Sequence, residues 1–156
     1  MYLILKSLHI IAVVLFLGNI ITGVFWKAHA DRTGDPRLMA HVLDGIIRSD
    51  RWFTLPGVFL IVAFGVAGAM VGGIPIFRTS WIWQSIVLFA VSGLAFMLRV
   101  APLQKRLRDL AREAAGGKPF DQEGYRIFSR GWAIWGVVAT AAPIAALFLM
   151  VVKPAR

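Results

Sequence analysis

The chain has four long apolar stretches, and almost all of its charged residues lie in two of the gaps between them. The stretches cover residues 3–26, 52–71, 81–100 and 132–152. Each is long enough to cross a hydrocarbon core of about 30 Å as a helix that rises about 1.5 Å per residue. Only residues 27–51 and 101–131 remain as sizeable gaps. The pattern predicts an all-α fold, a four-helix transmembrane bundle with up-down-up-down topology, as a single integral membrane domain over residues 1–156.

The distribution of charge predicts how the chain sits in the membrane. Thirteen of the 17 lysines and arginines, and all eight acidic residues, lie in or beside the two large gaps. The positive-inside rule makes that side cytoplasmic. Both termini would then face outward from a bacterial cytoplasmic (inner) membrane that the chain crosses several times. The bilayer is the expected partner, and nucleic acid is not, because no basic stretch outside the spans carries stacking aromatic residues.

Residues near the ends of the spans carry further expectations. Apolar residues recur at helical spacing from Leu38 to Ile47, after Pro36, which predicts an amphipathic helix at the cytoplasmic interface. Tryptophans are expected to anchor the spans in two aromatic belts. The inner belt would hold Trp26, Trp52 and Trp132, and the outer belt Trp81 and Trp83.

His9 is the strongest candidate for chemistry. It lies in the first span, three residues after Lys6 and on the same helical face. At helical rise it is about 9 Å below the start of the span, too deep for a short imidazole to reach bulk water. Such a group needs a hydrogen-bond partner, a cavity or a ligand.

Matching residues by depth predicts a cationic layer in the outer leaflet. The helix ends on that side gather Lys6, His9, Met70, Gln84, Met150 and Lys153, with no acidic residue. This layer suits an anion such as haem propionates, a carboxylate or a lipid phosphate. Histidine and methionine are a known axial pair for haem b, so His9 could ligate the metal with Met150 or Met70, or alone. The alternative is a neutral histidine bonded to a carbonyl or to Gln84.

Other candidates are fewer. The chain has no cysteine, which excludes disulfides, iron–sulfur clusters and c-type haem attachment. No acid lies within a span, so a carboxylate proton relay is not expected. Asn19, in mid-span, is predicted to form an interhelical hydrogen bond or to line a pathway. His29 and His41, in the inner gap, are expected to be solvated.

Several segments resemble a known family. They are residues 5–18, 50–57, 103–110 and 149–154. Residues 5–18 are similar to the first helix of the superfamily of copper-resistance D proteins and membrane-bound protoporphyrinogen oxidase. The other three segments resemble an uncharacterised family of predicted integral membrane proteins, and this resemblance covers nearly the whole chain. The resemblance of the first helix implies a haem b ligand at His9. A copper site is not favoured. Copper(I) prefers soft ligands, and one histidine with two scattered methionines would make a poor site for it.

Two functions follow as hypotheses. In the first, the protein binds haem b, or a similar anionic cofactor, through His9 with Lys6, Gln84, Met150 and Lys153, and has a redox or haem-handling role. In the second, it is a non-enzymatic membrane scaffold or subunit that forms a homo-oligomer or binds a membrane partner through helix–helix contacts. Catalytic residues, and whether the protein is an enzyme, remain open.

Overall fold

The computed structural model of the chain describes residues 1–154, which contain helices and no strand. Six α-helices and two π-helical turns follow in order. They are α1 (Tyr2–Thr33), α2 (Pro36–Ser49), the first π turn (Asp50–Thr54), α3 (Leu55–Val71), α4 (Ser80–Ala95), the second π turn (Phe96–Val100), α5 (Ala101–Ala115) and α6 (Gln122–Val152). The π turns join α2 to α3 and α4 to α5 without a break, so four continuous helices result. All four are long and apolar enough to cross a membrane, which confirms the predicted fold.

Both π turns lie just before a proline, Pro56 or Pro102. Proline has no N–H, and its ring crowds the carbonyl four residues earlier, which is that of Trp52 in the first case. The helix widens to accommodate this: the Leu55 N–H bonds to the carbonyl oxygen of Asp50, five residues earlier. The second π turn repeats this pattern. The prolines therefore account for the locally widened turn in each of these two long helices.

The turn between α1 and α2 is specified by its residues. Gly34 ends α1 in the left-handed conformation, with φ of 67°, and its N–H bonds to the carbonyl of Asp31. The Asp35 carboxylate then accepts a 2.9 Å hydrogen bond from the Arg37 N–H, and Pro36 occupies the first turn of α2. A glycine after a helix, followed by an acidic cap and a proline, is the expected chemistry for such a tight reversal.

The helices pack in pairs, α1 with α3, α4 with α6, and α2 with α5. We call the end with the α1–α2 turn, α2 and α5 the basic end, and the end with Met1 and Pro154 the terminal end. The larger hydrophobic core lies at the basic end, where α2 contributes Met39, Ala40 and Leu43 and α5 contributes Leu107 and Ala111. Helix α2 is thus continuous with α3 and buries its apolar residues against α5. Its predicted position at the membrane interface gains no support.

The tryptophans divide into two groups. Trp26, Trp52 and Trp83 are each more than half exposed, consistent with membrane anchors. Trp132 is only 7% exposed, and its indole N–H donates a 3.1 Å hydrogen bond to Gln104. The expectation that Trp132 belongs to the aromatic belt is therefore wrong, because α6 turns this side chain into the bundle.

Candidate functional site

His9 is half-buried and faces α3. Its Nδ1 lies 2.8 Å from the carbonyl oxygen of Ile61. The imidazole can approach α3 this closely because residue 65 is a glycine: a Cβ at that position would lie 3.2 Å from two atoms of the ring. A carbonyl oxygen can only accept, so Nδ1 carries the proton, and in the neutral ring Nε2 keeps a lone pair.

The other residues of the predicted outer layer are not joined to His9. Met150 and Lys153 lie at the end of α6, which packs on α4, whereas His9 packs on α3. The Lys153 ammonium lies over the Trp81 ring at 5.6 Å from its centroid. Lys6 and Gln84 are exposed. Within residues 1–154, no hydrogen bond or ion pair connects these four residues to His9.

A second polar region, which the sequence did not reveal as a site, lies at the basic end. Its centre is the carboxylate of Asp50, in the first π turn. One oxygen accepts hydrogen bonds from Asn19 at 3.3 Å and Thr54 at 2.9 Å, and the other accepts one from Gln104 at 2.9 Å. Since Trp132 donates to Gln104, the four long helices are linked by one chain of hydrogen bonds. The predicted interhelical role of Asn19 is confirmed.

Lys27 extends this region toward α6. It is only 3% exposed, although it falls in what the sequence presents as a solvated gap. Its ammonium bonds to Asp31 at 2.6 Å and to Ser129 at 2.7 Å, and lies 5.1 Å from the centroid of the Trp132 ring. The Tyr125 hydroxyl donates a 2.7 Å hydrogen bond to the other oxygen of Asp31. A buried cation is thus matched by one carboxylate, a hydroxyl and an aromatic face.

Weak signals for this region were present in the sequence. Lys27 and Asp31 are four residues apart, which places them on one face of a helix that continues past the membrane. Asp50 lies less than two turns before Pro56, and a proline can widen or kink the helix there. Neither signal specifies which other helix the side chains face, and this decides whether they are buried. In contrast, His29 and His41 are exposed, as predicted.

These polar groups are arranged as hydrogen-bonded clusters and not as a set of metal ligands. Among the described residues, no three His, Asp or Glu side chains are grouped so that they could hold a metal ion. The side chains around Asp50 and Lys27 are bonded to one another, and no buried side-chain nitrogen or oxygen in the described part of the chain lacks a partner. His9 differs from them, because its ring has a nitrogen left over after its one hydrogen bond.

The fold and these polar groups together define a four-span, all-helical integral membrane protein. More specifically, the chain belongs to the family described as predicted integral membrane protein (DUF2269), whose model matches residues 3–154. This membership confirms the resemblance to an uncharacterised membrane-protein family. No curated protein and no solved structure matches the chain.

Proposed function

We propose that this membrane protein binds haem b, or a similar anionic cofactor, at the terminal end, with His9 as the ligand, and that it has a redox or haem-handling role. The observation that carries the proposal is the second ring nitrogen of His9: Nδ1 bonds to the Ile61 carbonyl, and Nε2 has no hydrogen-bond partner within residues 1–154. Histidines that ligate metals commonly donate their other ring N–H to such an oxygen, which fixes the tautomer and directs Nε2 at the metal. The lone pair on Nε2 of His9 is therefore suited to act as an axial ligand of haem iron.

The charge of the terminal end supports an anionic partner. Lys6 is exposed on α1, one turn from His9, and Lys153 is exposed at the end of α6. No acidic residue lies at this end of the chain. Haem propionates would find cations there without a competing carboxylate. Because α6 packs mainly on α4 and His9 bonds to α3, the proposal needs His9 alone as protein ligand; Met150 and Gln84 are secondary candidates.

An optical spectrum tests this proposal. Protein purified from haem-replete cells is expected to show a Soret band that is lost or shifted in His9→Ala. His41→Ala is the matched control, since it removes an exposed histidine at the basic end and should leave the band unchanged. Absence of the band from the unaltered protein, or a band that His9→Ala does not change, would rule out the ligand.

The second candidate is a non-enzymatic scaffold or membrane subunit. One observation favours it: polar side chains within the spans bond to main-chain carbonyls of neighbouring helices. Ser85 bonds to Ala146 and Ser92 to Ala139, as His9 does to Ile61. On this hypothesis His9 only joins α1 to α3, and the protein assembles with itself or a partner. Cross-linking in membranes tests it, and recovery of a bare monomer alone would count against it.

We also propose that the basic end faces the cytoplasm of a bacterial inner membrane, with both termini outside. The support is the charge bias, since 13 of 17 lysines and arginines lie at the basic end.

A further inference from the structure

A groove runs along the outward face of α2 at the basic end. Its first part, of about 320 Å³, lies between α1 and α2. Its second part, of about 380 Å³, continues along α2 to Trp52 and Phe53 in the first π turn. The two parts share Gly45 and Ser49. We call this continuous surface the α2 groove.

The α2 groove carries positive charge without negative charge. Its ionisable lining residues are His41 and Arg48, both exposed, and no Asp or Glu lines it. The acids of the same segment, Asp44 and Asp50, bond instead to side chains of α5. No ion pair within residues 1–154 includes Arg48. Both carboxylates therefore face α5 and a cation remains in the groove, so an anion is the complementary ligand.

The walls of the groove are apolar and suit a hydrocarbon chain. Val42 and Ile46 line it from α2, and a Cβ added at Gly45 would meet no atom within 4 Å. The exposed indoles of Trp26 and Trp52 flank it, as tryptophans do at the headgroup level of a bilayer. A free inorganic anion would gain nothing from these apolar walls. A phospholipid would contact the cation with its phosphate and the apolar walls with its acyl chains.

We propose that the α2 groove binds one anionic phospholipid. Its phosphate lies against Arg48 and His41, and its acyl chains follow Trp52 and Phe53 toward the membrane interior. Basic pockets between transmembrane helices are suited to such headgroups. The site lies at the opposite end of the bundle from His9, so it is independent of the cofactor proposal.

Native mass spectrometry of the purified protein in detergent tests the site, with phosphatidylglycerol as the probe and phosphatidylethanolamine as the zwitterionic comparison. We expect one phosphatidylglycerol to be retained in preference to phosphatidylethanolamine. Arg48→Gln should weaken its binding about fivefold, the factor for one basic residue near an anionic headgroup. Arg130→Gln is the matched control, because Arg130 is also exposed at the basic end but lies outside the groove.

A second pair of variants tests the shape of the groove. Gly45→Leu fills the open space and should reduce phosphatidylglycerol retention. Gly136→Leu on α6, where an added Cβ also meets no atom within 4 Å, should not. Circular dichroism checks that each variant is folded; if Gly45→Leu does not fold, the comparison of Arg48→Gln with Arg48→Lys, which keeps the charge, decides alone.

Three results would overturn the proposal. The first is equal retention of the two lipids. The second is an equal loss in Arg48→Gln and Arg130→Gln. The third is a dimer that Gly45→Leu abolishes, because the groove would then be a contact between two copies of the chain.

Discussion

The Ser92 hydroxyl donates a 2.6 Å hydrogen bond to the carbonyl oxygen of Ala139, the oxygen that Pro143 leaves without a main-chain donor. In an uninterrupted helix the N–H of residue 143 would bond to this carbonyl, but proline has none. Ser92 on α4 therefore supplies the donor that α6 lacks. The bond is buried, in a region where water cannot replace it. A proline within a membrane helix is thus accommodated by its neighbour.

Removal of this hydroxyl should destabilise the protein through the unpaired carbonyl. We expect Ser92→Ala to lower the free energy of unfolding by about 1–2 kcal/mol. The same change in a Pro143→Ala background should cost less than half as much, because alanine at position 143 supplies the missing N–H. Steric trapping in detergent micelles measures all four variants of this double-mutant cycle.

Ser85→Ala is the matched control for that cycle. Ser85 is equally buried, but its hydroxyl bonds mainly within its own helix, to Trp81 at 2.7 Å, and lies 3.3 Å from the Ala146 carbonyl. That carbonyl keeps its own main-chain donor, because residue 150 is a methionine. The expected loss is therefore smaller than for Ser92→Ala. Equal losses in both backgrounds, or at both serines, would contradict the role of Pro143.

The hydrogen bonds of Asp50 predict a rescue between two destabilising changes. In Asp50→Asn, an amide N–H₂ would face the Gln104 amide N–H₂, and Gln104 cannot rotate without losing Trp132. In the opposite orientation of the asparagine, its N–H₂ would face the Asn19 amide N–H₂ instead, so either orientation sets two donors against each other. We expect a cost of about 1–3 kcal/mol. Gln104→Glu alone places two carboxylates together and should also destabilise. The double variant restores the pattern, since the new amide at position 50 can donate to the new carboxylate at position 104, and Trp132 can still donate to that carboxylate.

Unfolding free energies of the two single variants and the double variant test this rescue. The double variant should be clearly more stable than the sum of the single effects implies, by at least about 1 kcal/mol. Additive losses would show that Asp50 and Gln104 are not directly bonded. Asp109→Asn is a suitable control, because Asp109 is exposed on the same helix as Gln104 and should not interact with Asp50.

The four long helices could be predicted from the sequence, because a span needs only enough consecutive apolar residues. The exposure of His29 and His41 followed from their charged surroundings. The burial of Lys27 and Trp132 could not be predicted in the same way. Both lie where a span meets a charged gap, and such residues are exposed or enclosed according to the rotation of one helix against another. That rotation is set by packing between distant segments, which hydrophobic periodicity does not encode.

The contact between Gly65 and His9 predicts opposite signs for two similar substitutions. Gly→Ala in a helix usually stabilises by about 0.5–1 kcal/mol. We expect this gain for Gly93→Ala, where an added Cβ meets no atom within 4 Å. Gly65→Ala should instead destabilise, because the Cβ would lie 3.2 Å from the imidazole and displace it from Ile61. Thermal unfolding in detergent compares the two, and a stabilising Gly65→Ala would contradict the packing of His9 on α3.

The Lys27–Asp31 pair predicts an asymmetric response to loss of either charge. Lys27→Met leaves Asp31 partly solvated and still bonded to Tyr125, so we expect a loss of about 1–3 kcal/mol. Asp31→Asn leaves an enclosed ammonium without a carboxylate and should cost more, about 3–5 kcal/mol. Lys105→Met, at an exposed position, is the control and should change stability little. The reverse order of the two losses would show that Lys27 reaches water.

The orientation of the chain can be tested with single cysteines, because the sequence has none of its own. Arg78 lies in the short α3–α4 connection at the terminal end, and Lys118 in the α5–α6 connection at the basic end; both are exposed. The positive-inside rule places the basic end in the cytoplasm. Arg78→Cys should therefore react with a membrane-impermeant maleimide in intact spheroplasts, and Lys118→Cys only after lysis. The opposite labelling would place both termini in the cytoplasm, and would move the His9 layer to the inner leaflet and the α2 groove to the outer one.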